Sequence, residues 1–250
     1  MSMATAIPKT EHQAQVPALL QVAGLAKRYG EQLALADISF AVQEREVLGL
    51  IGPNGAGKTT LLETIAGILA SNGGQVLWRG APLSLRERRE VMFYLPDALR
   101  PWQDQHVISV IKFFAEVYDR PDALVAQTLR ALDLAPVLRQ RVLTLSKGYA
   151  RRLMLALALI TPQPLLLMDE PFDGFDLKQT RAIRGVLRDL AGGGRTLVLA
   201  IHQLIDAERV CDRFVLLADG RVRGIGTLDE LRARSGKHAA GLEDVFLALT

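Results

Sequence analysis

Gly52-Pro53-Asn54-Gly55-Ala56-Gly57-Lys58-Thr59 carries glycine, lysine and threonine at every position a phosphate-binding loop requires. Before it, Glu46-Val47-Leu48-Gly49-Leu50-Ile51 is a strand-like apolar run; after it, Thr60-Leu61-Leu62-Glu63-Thr64-Ile65 reads as a helix. Strand, glycine-rich loop and helix in that order predict an α/β fold. Glycine leaves room for the backbone to curl around phosphate oxygens. The loop N–H groups and the positive end of the following helix dipole both favour an anion. Lys58 is then placed to reach the β- and γ-phosphates of a nucleoside triphosphate, and the Thr59 hydroxyl to ligate Mg²⁺. Gly52, Pro53, Asn54, Gly55, Ala56 and Gly57, with Thr60 at the helix start, complete the loop's candidate nucleotide contacts.

A chain of 250 residues can bury a full core as one α/β domain, with room for an inserted subdomain. Thirty basic against 27 acidic residues leave a net charge of +3, too weak and too interspersed to argue for nucleic acid. Arg86-Glu87-Arg88-Arg89 and Arg151-Arg152 read as solvated helix faces. Cys211 is the sole cysteine, which excludes an intramolecular disulfide, suits a reducing compartment and fits a small buried apolar role. The longest oily stretch, residues 153–160, stops at Thr161-Pro162-Gln163-Pro164, well short of the ~20 residues a bilayer helix needs. Residues 1–18 are mixed and polar, with no apolar stretch of signal-peptide type, and read as a flexible leader on a cytosolic protein.

A second chemical centre stands at Leu165-Leu166-Leu167-Met168-Asp169-Glu170. An apolar run without alternation suits a parallel strand buried on both faces. Its two carboxylates then fall at the C-terminal end, where α/β sheets place their ligands. Asp169 is positioned to hold Mg²⁺ through water, and Glu170 to orient or deprotonate the water that attacks a γ-phosphate. Further on, Leu145-Ser146-Lys147-Gly148-Tyr149 precedes a strongly helix-forming run, with Ser146 as N-cap. That helix start is another potential anion site, or an ordinary capped core helix; spacing alone leaves both open.

These landmarks in this order resemble the ATP-binding subunits of ABC transporters, and the resemblance runs over about residues 20–250. Gly52 to Thr59 matches the Walker A loop, Leu165 to Glu170 the Walker B strand, and Leu145 to Tyr149 the family signature, usually written LSGGQ. The resemblance implies a P-loop NTPase: a RecA-like core with an N-terminal antiparallel β margin and an inserted helical subdomain. It also implies ATP and Mg²⁺ as cofactors and a head-to-tail dimer of nucleotide-binding subunits, with a homodimer expected. In that dimer Ser146, Lys147 and Gly148 act on the partner's ATP. Tyr29 corresponds to the aromatic that stacks on adenine, His202 to the switch histidine at the γ-phosphate, and Asp176 to the last residue of the D-loop Asp173-Gly174-Phe175-Asp176.

The sequence departs from the family pattern in several places. Asp97 stands where a glutamine is usual, and a shorter carboxylate there could reach Mg²⁺ through a bridging water. Lys147 and Tyr149 replace Gly and Gln in the signature; Asp173 and Phe175 replace Ser and Leu in the D-loop. The signature departures resemble those of exporter-type subunits. Apolar spacing over residues 106–118 predicts an amphipathic helix, with Trp102 and Phe113 left over for a groove that receives a helix of a membrane partner. Residues 242–250 resemble the tail of subunits that export drugs, polysaccharides, lipids or sodium.

The expected organisation is a leader over 1–18, an ATPase domain over 19–235 with its helical subdomain at about 98–159, and a helical tail over 236–250. The implied function is ATP hydrolysis powering a separate integral membrane permease, at the inner face of the cell membrane. In that reading Lys58, Glu170 and His202 carry the chemistry, and Thr59, Asp97 and Asp169 the metal. The alternatives are a soluble ABC ATPase acting on ribosomes or DNA, which usually carries two nucleotide units or long coiled-coil insertions, and a nucleotide-gated module with weak hydrolysis. The lack of an Asn-Lys-x-Asp guanine-reading motif argues against a P-loop GTPase.

Overall fold

The computed structural model describes residues 18–97 and 101–250; the expected leader, apart from Ala18, and the first three residues of the expected helical subdomain lie outside them. Two sheets organise the chain. The first is four-stranded and antiparallel, in the order β2-β1-β4-β5, from β1 (Leu20–Tyr29), β2 (Gln32–Val42), β4 (Gly73–Trp78) and β5 (Ala81–Pro82). The second is six-stranded, in the order β10-β9-β3-β8-β7-β6. It is built from β3 (Val47–Ile51), β6 (Met92–Leu95), β7 (Leu165–Asp169), β8 (Thr196–Ile201), β9 (Arg213–Ala218) and β10 (Arg221–Gly226). All its neighbours pair in parallel except β10, which runs antiparallel along the β9 edge.

Every residue of β3, β7 and β8 is buried, the mark of strands covered on both faces. The side-chain period of two then divides each strand between two cores. Leu48, Leu50, Leu165 and Leu167 point to the side of the antiparallel sheet and helix α1 (Lys58–Ala66), where they meet Leu20, Ile38, Leu61 and Ile65. Val47, Ile51, Leu166 and Met168 point the other way, against α5 (Lys147–Ile160), α6 (Leu177–Gly192) and α7 (Leu204–Val210). Gly49 sits among the second set because space is short: a Cβ there would lie 2.9 Å from the Cys211 sulfur. Cys211 is packed against this core, and burial pushes its thiol pKa up, as suits an inert apolar role.

Between β6 and β7 the described chain is helical. The predicted amphipathic helix is α3 (Val107–Val117), with Val107, Val110 and Ile111 buried; Pro121 precedes α4 (Asp122–Ala131), and α5 follows two short 3₁₀ turns. α5 ends at Ile160 with Thr161 as C-cap, and among the described residues no helix is long and apolar enough to cross a membrane. At the C-terminus α9 (Leu242–Leu249) folds back on α7 and α8 (Leu228–Ser235), burying Leu242 and Val245.

The reading of the arginine clusters as solvated faces is corrected for Arg88 and Arg151, only 8% and 5% exposed, whereas Arg86 and Arg89 are solvated. Arg88, on α2 (Leu85–Val91), donates to the carbonyl oxygens of Thr64 (2.8 Å) and Ile65 (3.2 Å) at the end of α1. Helix ends leave carbonyls without intrahelical donors, and a guanidinium satisfies them in the right electrostatic sense. Arg195 serves the end of α5 likewise, donating to Leu159 O at 3.2 Å and to Thr161 O.

Candidate functional site

The phosphate loop leaves β3 and closes onto α1 through Gly57, whose φ of +100° makes it the left-handed N-cap of that helix. Lys58 and Thr59 therefore lie in the first helical turn, which begins two residues before the apolar run that starts at Thr60. Gly52 is demanded by a close approach: a Cβ would come within 2.4 Å of the Leu217 carbonyl oxygen and 2.9 Å of the Ala56 side chain. The Lys58 ammonium is folded into the loop, donating to Gly52 O at 2.8 Å and Pro53 O at 3.3 Å, and it stands 4.0 Å from Glu170 Oε1. Burial lowers the Lys58 pKa, with Glu170 and Asp169 acting in the opposite direction.

From β7 the carboxylates come to the same place. Asp169, 3% exposed, accepts a hydrogen bond of 2.6 Å from the Thr59 hydroxyl. Burial raises its pKa, and the Thr59 hydrogen bond is the largest influence pulling it down. Glu170 occupies a left-handed conformation, φ +49°, which for a residue with a side chain costs on the order of 1–3 kcal/mol. Its N–H donates to Ala200 O at 3.0 Å, and its carboxylate lies 2.6 Å from His202 Nδ1 at the end of β8. Neighbouring β7 and β8 thus present Glu170 and His202 as a pair.

A cleft of about 840 Å³ opens over these groups. Tyr29, Asn54, Gly55, Gly57, Lys58, Thr59, Thr60, Asp97, Asp169 and Glu170 line it. Tyr29 is 49% exposed at its rim, with Lys27 Nζ 5.2 Å from its ring centroid. Gly52, Pro53 and Ala56 do not line the cleft: the Gly52 and Pro53 carbonyls accept from Lys58 Nζ, and Ala56 is buried. Ser146, Lys147, Gly148 and Asp176 do not line the cleft. Ser146 Oγ caps α5 by accepting from Tyr149 N, and Asp176 caps α6 by accepting from Gln179 N at 2.8 Å. Lys147 lies 2.7 Å from Asp173 Oδ2, folded over Gly174. The Asp97 carboxylate is drawn into an ion pair with Arg151 at 3.1 Å.

The donor set suits a hard cation bound beside phosphate. A hydroxyl and a carboxylate meet at Thr59 and Asp169, and no cluster of three or more His, Cys, Asp or Glu among the described residues forms an all-protein cage. Mg²⁺ keeps much of its shell as water and phosphate oxygen, so a sparse oxygen set fits it. A glycine-rich loop that runs into a helix N-terminus, a lysine at its root and a carboxylate–histidine pair alongside form the equipment for phosphoryl transfer to water.

The sequence model of the ABC transporter family matches residues 35–173. The chain belongs to the ABC transporter ATP-binding family. It is 32% identical over 216 residues to an ABC transporter ATP-binding protein of Methanocaldococcus jannaschii, covering 85% of this chain and 79% of that protein. It is 33% identical over 232 residues to a fluoroquinolones export ATP-binding protein of Mycobacterium tuberculosis, covering 90% and 76%. Against the Nod factor export ATP-binding protein I of Rhizobium etli it is 35% identical over 203 residues, covering 79% of this chain and 64% of that one. A solved ATP-binding subunit of an ABC transporter superposes with a TM-score of 0.85 at 31% identity, over 92% of this chain and 99% of the other. The fold is therefore that of the P-loop NTPases, and this ABC ATP-binding protein is an ATPase.

Several residues of this ABC ATPase site were missed in the sequence. Glu63 and Tyr94 line the cleft, and burial raises both their pKa values, with Asp169 adding to each shift. Glu63 gave a signal, being one turn beyond Thr59 on the helix face that follows the loop. Arg151 gave none, because the oxygens it meets, main-chain ones and the Asp97 carboxylate, belong to distant segments.

Proposed function

We propose that this ABC ATPase drives a separate integral membrane permease, in the export direction, from the inner face of the cell membrane. The observation that carries the permease reading is the helical insert, about residues 98–159, whose described part holds an aromatic cluster half open to solvent. Trp102 and Phe113 are 50% and 47% exposed, their rings meet edge to face at 4.9 Å, and with Gln105, Ser109 and Val110 they line a groove of about 370 Å³. Such a groove suits a short amphipathic helix of a partner. The names of the drug and Nod factor relatives support export.

In this reading Tyr29 stacks on adenine, the loop from Gly52 to Thr60 cradles phosphates, and Lys58 contacts the γ-phosphate. Thr59 and Asp169 would hold Mg²⁺, and Asp97, which lines the same cleft, would join through water. The ion supplies charge neutralisation of the phosphate oxygens when bound. Glu170 accepts a proton from, or orients, the attacking water, while His202 holds the Glu170 carboxylate and faces the γ-phosphate. Ser146, Lys147, Gly148 and Asp176, away from the chain's own cleft, face the ATP of a second copy in a head-to-tail homodimer. The leader (1–18), the ATPase domain (19–235) and the tail (236–250) are units of this proposal.

The test is to tag the chain in its own cell, solubilise membranes in mild detergent and identify what co-purifies with the Glu170→Gln variant in ATP. A multi-span hydrophobic subunit in fixed proportion is the expected result. Recovery with ribosomes, with nucleic acid or with no partner would overturn the permease reading.

A further inference from the structure

Arg151 lies in the second turn of α5 and does not line the nucleotide cleft, yet it touches the segments that build it. Its Nη1 donates to Asp97 O at 2.5 Å. Its Nη2 donates to Asp169 O at 2.6 Å and to Glu170 O, and pairs with Asp97 Oδ1 at 3.1 Å. The guanidinium is buried, its Nε has no hydrogen-bond partner among the described residues, and its Nη atoms are held by these oxygens. Glu170 meanwhile sits at φ +49°, its N–H fixed by Ala200 O and its carbonyl fixed by Arg151. Arg151 thus holds the carbonyls of both peptides that flank the Glu170 Cα, and releasing them would let that backbone, with the carboxylate it carries, shift relative to His202 and Lys58.

We propose that Arg151 is a positioning residue, tying the orientation of α5 and of the Asp97 segment to the placement of the Glu170 carboxylate. The consequence is geometric coupling: a shift of the helix that begins at Ser146 is delivered to Glu170 through one planar, multiply bonded group. A planar fork can hold oxygens from separate segments at once, whereas an ammonium offers a point charge without that geometry. This proposal rests on Glu170 as the group that handles the attacking water.

The experiment measures ATP turnover of the full chain, normalised to nucleotide-binding sites by titration, for Arg151→Met, Arg151→Lys, Glu170→Gln and the double variant Glu170→Gln/Arg151→Met. Misplacing a reacting group by about 1 Å costs up to roughly 10²-fold. Arg151→Met is therefore expected to lower kcat about 10- to 100-fold with KM for ATP within about twofold, since Arg151 is outside the cleft. Arg151→Lys keeps the charge, is expected to keep the thermal midpoint near that of the unaltered chain, and should still lower kcat; it carries the test alone if Arg151→Met does not fold. If Arg151 acts through Glu170, the double variant should be no slower than Glu170→Gln alone. Unchanged kcat per binding site in Arg151→Lys, or losses that multiply in the double variant, would overturn the positioning role while leaving Glu170 intact. Near-normal turnover of Glu170→Gln would instead remove the Glu170 assignment, and this proposal with it.

Discussion

Lys147 Nζ lies 2.7 Å from Asp173 Oδ2, joining the first turn of α5 to the turn that leads into α6. Both positions depart from the residues common in the family, and here the two departures answer each other. The stem of Lys147 also packs across Gly174, where a Cβ would lie 3.0 Å from its Cγ and Cδ. The extra lysine thus carries its own counter-charge within the chain.

That pair has a titration signature. The hydrogen bond from Lys147, followed by its charge, lowers the Asp173 pKa below the usual 3.8. A depressed carboxylate contributes stability above its unfolded-state value and loses it as the pH falls through the folded-state value. The pair should therefore persist from neutral pH down to about 4 and break in stronger acid. A carboxyl-carbon NMR titration should place Asp173 below 3.8, and Lys147→Met should move the midpoint up toward that value. No movement in the variant would show that the pair does not form in solution.

Replacing Thr59 by valine keeps the shape and removes the hydroxyl that donates to Asp169. A hydrogen bond to a charged group is worth about 1.5–3 kcal/mol, so Thr59→Val should destabilise the nucleotide-free protein by roughly that amount. The Asp169 pKa, already raised by burial, should climb further, since the hydrogen bond that lowers it is gone. Urea unfolding without nucleotide or Mg²⁺ checks the first point; a loss under about 0.5 kcal/mol would show the bond contributes nothing.

Arg88 and Arg86 share one helix and should behave differently. Arg88→Met takes the guanidinium from the buried carbonyl of Ile65 and leaves that of Thr64 only the Gly67 N–H, a loss of about 1–3 kcal/mol. Arg86 is exposed, and Arg86→Met should stay within about ±0.5 kcal/mol. Equal effects in urea denaturation would contradict the burial difference.

Two glycines make a second contrast. Gly185 lies on the exposed side of α6, and no atom of the described residues comes within 4 Å of an added Cβ, so Gly185→Ala should stabilise by about 0.5–1 kcal/mol. Gly52→Ala would drive a methyl into the Leu217 carbonyl at 2.4 Å, and the loop can yield only by moving its backbone. Loss of nucleotide binding, read by fluorescent ATP-analogue titration, is the expected result.

What the sequence revealed was whatever is written locally. The loop from Gly52 to Thr59, the apolar strand ending in Asp169 and the helix capped by Ser146 each declare themselves within about ten residues, because spacing and turn chemistry act at that range. Lys58, Thr59, Asp169 and Glu170 do converge, and Tyr29 and Asp97 line the same cleft. The hidden part was the destination of long side chains. Whether Arg151 meets water or the oxygens of Asp169 and Asp97 depends on which carbonyls a distant segment leaves open, and no periodicity encodes that. The Lys147–Asp173 pair was hidden for the same reason: both residues were visible as departures, and only the fold sets them side by side.

The pairing of β3 fixes an order of assembly. Its neighbours are β8 and β9, with Val47 opposite Leu197 and Leu48 opposite Arg213. The strand that carries the phosphate loop therefore leaves the ribosome early and waits, apolar along its whole length, until nearly all of the chain has followed. Long-range parallel pairing is slow and leaves apolar surface open to misassociation in the interval. A nascent chain halted before Thr196 would hold an intact loop sequence on a strand with neither of its hydrogen-bonding neighbours, so the loop would lack the ladder that braces it.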